Sequence, residues 1–215
     1  MLDRSSLEHK IKTLKICVII PTYNNERTLK RVIDGLLEIT KDLIVINNGD
    51  TDATFRILKT YTEITKISLT KNKGNGNALR IAFKKAEALG YDFAITLKTD
   101  GQYYHENISL FVYQLEAKTN KNLLLIGSTN RGQKTVASRM SFNDKLSNFL
   151  YKLQTGIQLK NTQSGFRLYP LKELNKIKFF TTKSEFEIET IVKAAWRGIT
   201  VKNVPIKVSI DPQER

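Results

Sequence analysis

Short apolar runs alternate with amphipathic stretches along most of this 215-residue chain. ICVII at 16–20 is continuous, rich in β-branched residues and closed by Pro21, the pattern of a strand buried on both faces. From Glu26 to Ile39 the apolar positions Leu29, Val32, Ile33, Leu36 and Leu37 recur at helical spacing. LIVI at 43–46 predicts a second buried strand, ended by the polar segment NNGDTD, in which Asp52 is placed to cap a helix carrying Phe55, Ile57 and Leu58. A short strand near 66–69 leads to KNKGNGNALRIAFKKAEALG, a glycine-rich turn opening a helix that stops at Gly90. FAITL at 93–97 predicts a further strand, followed by a helix over 106–117 and the strand LLLIG at 123–127.

That alternation predicts an α/β protein whose mostly parallel sheet is flanked by helices. The second half is less regular. SFNDKLSNFLYKLQTG (141–156) reads as an amphipathic helix and SEFEIETIVKAAWRG (184–198) as another, closed by Gly198. ITVKNVPIKVSI (199–210) alternates like an edge strand interrupted by Pro205. No internal repeat, low-complexity tract or linker divides the chain, so a single domain is expected.

Composition narrows the class. A hydrophobic fraction of 40% is above that of disordered chains. The longest apolar runs are too short to span a bilayer, and the polar start MLDRSSLEHK has no signal-peptide pattern. The one cysteine, Cys17, lies inside the first apolar run; it allows no intramolecular disulfide and is expected in the core. A cytoplasm-facing protein fits these features. The formal charge of +14 calls for solvated lysine-rich faces or an anionic partner. The lysines are spread along the chain and no nucleic-acid-binding motif is present, which leaves a phosphorylated ligand or an anionic membrane surface.

In an open parallel sheet, ligands bind beyond the carboxyl ends of the strands. Four such ends carry polar loops: PTYNNE, NNGDTD, NKGNGN and KTDGQ. A turn rich in Asn and Gly is commonly only a turn, but four in succession on one edge predict a site. The GNGNA turn resembles the loop-to-helix element that favours anions. It lacks the Lys-Ser/Thr ending of a P-loop, and it does not follow the first strand as a dinucleotide fingerprint would.

VIIPTYNNERTL, INNGDTDAT, NKGNGNALR, LKTDGQYYHENI, TQSGFRLYP and EFEIE, in that order, resemble the family 2 glycosyltransferases. Within that family the chain is similar to the dolichyl- and polyprenyl-phosphate sugar synthases. The resemblance runs from about residue 15 to the end, setting residues 1–14 apart as an N-terminal extension of a single glycosyltransferase domain over 15–215. It implies a GT-A, Rossmann-like fold, with a nucleotide-sugar half over about 15–128 and an acceptor half over about 129–215. It further implies a nucleotide-diphosphate sugar donor, Mg²⁺ or Mn²⁺ bridging carboxylates to the diphosphate, and a polyprenyl phosphate or other anionic lipid as acceptor. Peripheral contact with the inner face of the membrane follows, and nucleic acid is not implied as a partner. Pro21, Thr22, Tyr23, Asn24 and Glu26 match the loop that contacts the nucleoside. Asn48 and Asp52 match the loop at base and ribose, and Gly74, Gly76, Asn77 and Leu79 the turn beside the nucleotide. Asp100 and Gln102 match the last part of the metal motif, Asp100 also being a catalytic candidate. Ser164, Gly165, Phe166 and Arg167 match the acceptor-side loop. Relatives often continue past the point where this chain ends in DPQER, with a segment that touches the membrane or closes over the acceptor.

Three departures stand out. The family usually has Asp-Asp-Gly-Ser or Asn-Asp-Gly-Ser where this chain has Asn47-Asn48-Gly49-Asp50. It usually has Asp-x-Asp where this chain has Lys98-Thr99-Asp100, and commonly an Asp where this chain has Asn161. If Lys98 and Asp100 share one face of a strand, the lysine opposes a metal held by Asp100; two unit charges 4 Å apart interact by roughly 4 kcal/mol at an effective dielectric of 20. Three readings follow. Lys98 replaces the metal as counter-charge for the leaving nucleotide, so that Mg²⁺ or Mn²⁺ is weakly bound or dispensable. Alternatively, the chain is a catalytically impaired homologue that binds nucleotide or lipid phosphate. In the third, Lys98 and Asp100 form a structural ion pair. A phosphate acceptor is already anionic and hardly needs a general base, so the absence of the Asp at 161 harms such a transferase least. Arg131, Arg139 and Arg167 are candidate phosphate ligands, Arg167 and Lys98 also being catalytic candidates. On the last predicted helix Glu185 and Glu189 share a face, Glu185 as a candidate for the acceptor site and Glu189 for solvent. His9 and His105 have no metal-ligand spacing.

Overall fold

The computed structural model describes residues 4–99, 103–117, 122–129, 151–152, 155–159, 162 and 164–208. The first half alternates as the periodicity predicts. Helix α1 (Arg4–Thr13) precedes β1 (Ile16–Thr22), α2 (Leu29–Leu37), β2 (Leu43–Asn47), α3 (Thr54–Lys59), β3 (Thr65–Ser68), α4 (Asn75–Ala88) and β4 (Phe93–Thr96). A single 3₁₀ turn at His105–Asn107 leads into α5 (Ile108–Glu116) and β5 (Leu123–Thr129). Strand β6 (Arg167–Pro170), the short α6 (Leu171–Leu174), α7 (Glu185–Trp196) and β7 (Thr200–Ile206) complete the described elements.

The seven strands form one sheet in the order β3-β2-β1-β4-β6-β5-β7. All neighbouring pairs are parallel except those of β6, which runs against both β4 and β5. That reversal matters for the site. The loop entering β6, at Ser164–Phe166, arrives at the same edge of the sheet as the carboxyl ends of the parallel strands.

Alternate strand residues point to opposite faces, and both faces are covered. Val18, Ile20, Val45 and Ile95 pack with α2 and α5 through Ile33, Leu36 and Phe111. Cys17, Ile19, Ile46 and Ala94 pack on the other face with α4 and α7 through Phe83, Phe186 and Ile191. This double covering is why the strands read as continuous apolar runs.

Four features differ from the expectation. Residues 4–13, set apart as an extension, form a helix that buries Leu7 and Ile11 in the same core as β1 and α5. β1 continues through Pro21 to Thr22, because beyond Ile19↔Thr96 the strand has only β2 as a partner on which to extend its ladder. β4 ends at Thr96, so Lys98 lies in the loop beyond it and the two-residue alternation expected for Lys98 and Asp100 does not apply. β6 was not expected at all. The helix expected over 141–156 lies almost entirely outside the described residues. On β7 the burial alternates along TVKNVPI, as expected of an edge strand, with Pro205 exposed.

The burial of α1 has a measurable consequence. Ile11 is fully buried, so Ile11→Ala is expected to destabilise the protein by roughly 2–5 kcal/mol, read as a lowered urea midpoint at unchanged m value. A detachable extension predicts no change.

Candidate active site

At the carboxyl edge the loops after β1 and β2 are laced together by side chains. Asn24 has a positive φ of 54°, which turns its backbone N–H onto Asp50 Oδ1 at 2.6 Å. Its own Oδ1 accepts from Thr51 N–H at 2.9 Å. Glu26 Oε2 accepts from Ala53 N–H at 3.0 Å, and Asp52 Oδ2 accepts from Glu26 N–H at 3.3 Å. Asp52, expected to cap α3, sits one residue ahead of the cap position, and its other oxygen accepts from Thr54 N–H at 2.9 Å. The loop after β4 joins the same assembly: Thr99 Oγ1 donates to Asn25 Oδ1, and Thr28 Oγ1 donates to the Thr99 carbonyl.

The two asparagines at the end of β2 and the start of the loop after it have internal partners. Asn47 Oδ1 accepts from the N–H groups of Gly49 and Asp50, both at 2.8 Å, closing the turn after β2. Asn48 is buried; its Nδ2 donates to Asn72 Oδ1 at 3.1 Å and its Oδ1 accepts from Lys73 N–H at 3.4 Å. Asp50, by contrast, has one carboxylate oxygen, Oδ2, sealed from solvent without a partner. Burial pushes its carboxyl up against the Asn24 hydrogen bond, and nearby Asp52 adds to the rise. Thr22 Oγ1, at the end of β1, and Asn77 Nδ2, in the first turn of α4, are also sealed and unpartnered. A buried polar atom without a partner costs about 1–3 kcal/mol.

The glycine-rich turn is built for close packing of protein against protein. A Cβ on Gly74, at φ 90°, would lie 2.3 Å from the Thr182 carbonyl oxygen, and one on Gly76 would lie 2.4 Å from Phe186 Cβ. The Asn77 N–H donates to that Thr182 oxygen at 3.0 Å. This donor in the first turn of α4, expected to face an anion, is therefore taken by the segment leading into α7. Leu79 lies in the core.

At the loop entering β6, Arg167 is fully buried and all its guanidinium nitrogens have protein partners. Nε donates to the Ser164 carbonyl at 2.6 Å, Nη2 to the Thr162 carbonyl at 2.7 Å, and Nη1 to the Glu187 carbonyl at 2.8 Å. Nη2 also faces Glu187 Oε2 at 3.5 Å. The expectation of Arg167 as a surface-facing phosphate ligand is thereby corrected: it ties the loop entering β6 to the first turn of α7. Phe166 packs in the core against Phe111 and Tyr103, and Ser164 Oγ accepts from Phe166 N–H at 3.3 Å. The Gly165 peptide is clamped from both sides, its carbonyl accepting from Thr96 Oγ1 at 3.0 Å and its N–H donating to Tyr103 Oη at 3.3 Å.

Lys98 lies on that clamped peptide. A Cβ on Gly165 would fall 2.6–2.9 Å from Cε, Cγ and Cδ of Lys98, so the lysine stem occupies the space that glycine leaves open. Its ammonium is 3.9 Å from Glu187 Oε1, with the lysine side chain 42% exposed and the glutamate 9%. Glu187 is the residue that sequence reading passed over. Its burial between two cations was not legible from EFEIE, where only alternation was visible. Glu185 is exposed. Glu189, expected in solvent, instead accepts from the N–H groups of Phe180 and Thr181 at 2.9 Å each and from Thr181 Oγ1 at 2.6 Å, and pairs with Lys193 at 2.6 Å. Burial raises its carboxyl pKa, but these partners together pull it down to about 2.

Asp100, Gln102, Arg131, Arg139 and Asn161 lie outside the described residues. Among the described residues no group of three His, Cys, Asp or Glu is arranged to hold a metal, and Glu187 already faces Arg167 and Lys98. The described residues therefore do not form the metal site that the resemblance implies. Nor is any helix among them long and apolar enough to cross a membrane.

An open, mostly parallel sheet, with laced loops on one side of its carboxyl edge and the entry to an antiparallel strand on the other, defines a GT-A-type fold. The chain belongs to glycosyl transferase family 2, whose model matches residues 17–177, and so to the enzymes that transfer sugars from nucleotide-sugar donors. It is 27% identical over 215 residues to UDP-N-acetylglucosamine--dolichyl-phosphate N-acetylglucosaminyltransferase of Methanococcus voltae, covering 89% of this chain and 84% of that protein. It is 25% identical to polyprenol monophosphomannose synthase of Mycolicibacterium smegmatis, covering 90% of this chain and 77% of that one. Among solved structures, glucosyl-3-phosphoglycerate synthase of Mycobacterium tuberculosis in complex with uridine-diphosphate superposes with a TM-score of 0.75 at 18% identity, covering 98% of this chain and 77% of that chain. The same enzyme in complex with Mn²⁺, uridine-diphosphate and phosphoglyceric acid gives 0.72 at 19% identity, covering all of this chain (100%) and 77% of that one.

Two measurements check the acceptor-side geometry. Arg167→Ala leaves the Glu187 carboxylate and three carbonyls without their cation and is expected to cost roughly 3–5 kcal/mol of stability, seen in urea denaturation. A solvent-facing ligand residue predicts almost none. Glu189→Gln is expected to be destabilising at pH 7 by up to about 3 kcal/mol. Because the folded carboxyl titrates near 2, below its unfolded value, the difference from wild type is complete above the unfolded pKa. It closes as pH falls toward 2, which denaturation from pH 7 to 2.5 follows.

Proposed function

We propose that this chain transfers a hexose from a nucleotide-diphosphate sugar to a polyprenyl-phosphate-type acceptor at the cytoplasmic face of the membrane. The observation that carries the donor half of the reading is the laced edge after β1 and β2, at the carboxyl end of an open parallel sheet where ligands bind. Within that edge Asp50 Oδ1 accepts from the Asn24 N–H at 2.6 Å, so its carboxylate fixes the loop after β1 against the loop after β2.

The acceptor half rests on chemistry and on relatives. Relatives of this chain bear names that specify dolichyl phosphate. In the reaction an acceptor phosphate oxygen attacks the anomeric carbon of the sugar. The bond from that carbon to the diphosphate breaks, and the nucleoside diphosphate departs with the electron pair. A phosphate nucleophile carries its own negative charge, which suits a chain with Asn161 where a base is common. The charge of +14 suits peripheral contact with an anionic membrane. Of the family's metal motif, Asp100 and Gln102 remain and Lys98 replaces the first acid, so dependence on Mg²⁺ or Mn²⁺ is weakened.

A second reading, a catalytically impaired homologue that binds nucleotide or lipid phosphate, is favoured by one observation: Asn47, Asn48 and Lys98, three positions where the family carries acids or amides near the donor, all point their polar groups at protein partners. Calorimetric titration of UDP and GDP, each with and without Mn²⁺, followed by assay of the matching sugar nucleotides with a polyprenyl phosphate, separates the two. One nucleotide is expected to bind, Asp50→Asn to weaken it by about tenfold or more, and hexosyl transfer to follow. Nucleotide binding without turnover supports the impaired homologue. Binding of neither nucleotide overturns the donor reading.

A further inference from the structure

The loop entering β6 carries an excess of positive charge that the donor reading leaves unused. Among the described residues, two cations and one carboxylate meet there: Arg167, Lys98 and Glu187. Arg167 is sealed, and its N–H groups are bound to three carbonyls and to the carboxylate. The remaining charge is expressed at the Lys98 ammonium, whose side chain is 42% exposed and whose contact with Glu187, at 3.9 Å, is longer than a hydrogen bond.

The lysine is also held in one direction. Its neighbour Thr99 is fastened to Asn25 and Thr28 of the loop after β1. Its stem lies over Gly165, where any side chain on residue 165 would displace it. The Gly165 peptide is itself pinned by Thr96 and Tyr103. The ammonium is thus held beside the loop entering β6 and the first turn of α7.

We propose that Lys98 is an anion-binding residue of the acceptor site, where it recognises the phosphate monoester of the acceptor, and that Glu187 is the positioning residue that holds its ammonium over Gly165. This rests on the transferase reading only for the name of the site. That task differs from neutralising the leaving diphosphate. The ligand class is a phosphate monoester, from a lipid such as a polyprenyl phosphate or from a small phosphorylated acid.

The test uses the full chain, Lys98→Gln and the conservative Lys98→Arg. Farnesyl monophosphate and phosphoglyceric acid are titrated calorimetrically, with UDP or GDP present and absent; the nucleotides are titrated separately without metal. Wild type is expected to bind at least one monoester, Lys98→Gln to weaken it by about tenfold or more, and Lys98→Arg to restore most of the affinity. Nucleotide affinity is expected to stay within about twofold in both variants. Whichever monoester binds identifies the source, and either supports the proposal. Loss of nucleotide affinity in Lys98→Gln with monoester binding unchanged overturns it in favour of a counter-charge for the leaving group. Absence of monoester binding to wild type overturns it as well. Failure of wild type to bind nucleotide sinks the donor reading, while the monoester titration still decides the role of Lys98.

Discussion

One buried cation holds the loop entering β6 and the first turn of α7 in register. Arg167 opens β6, the strand that joins β4 to β5, and its guanidinium reaches into the loop before the strand and the first turn of α7 at once. A fully buried arginine is tolerable only with every donor engaged and a carboxylate nearby, and the Thr162, Ser164 and Glu187 carbonyls with the Glu187 side chain meet that demand. The position of Glu187 follows from this requirement, and the environment of Lys98 follows from Glu187 and Gly165.

Glycine serves the same junction from the other side. Gly74 and Gly76 have no side chain because the segment from Thr182 to Phe186 passes where a Cβ would stand. The helix start that resembles an anion site is thus a docking point for the second half of the chain. The halves are interleaved in one sheet, with β6 of the later half set between β4 and β5 of the earlier one. Donor loops and acceptor loop share an edge because an antiparallel strand enters the sheet from the end at which its neighbours leave it.

The departures from the family pattern acquire distinct physical meanings. Asn47 and Asn48 close turns and bridge to the next loop, tasks an amide performs with both of its polar groups. Asp50 retains a carboxylate in that loop, with an oxygen free of protein partners. Lys98 sets a cation against the acceptor-side loop. Together they leave a carboxylate in the loop after β2 and a cation beside the loop entering β6.

Periodicity alone determined the alternating first half, because strands covered on both faces must be apolar throughout and helices covered on one must not. Spacing also placed four polar loops on one sheet edge, since parallel strands necessarily end on the same side. Other features were decided only by tertiary packing. RLYP at 167–170 is too short, and buried on both faces, to carry any alternation that marks a strand. Leu7 and Ile11 sit in a polar helix whose two core residues gain meaning only when β1 and α5 are beside it. Above all, the direction of Lys98 depends on a missing side chain at Gly165 and a carboxylate at Glu187, residues 67 and 89 positions away in sequence. A charge takes its function from the groups that surround it in space, and those neighbours exist only once the chain has folded.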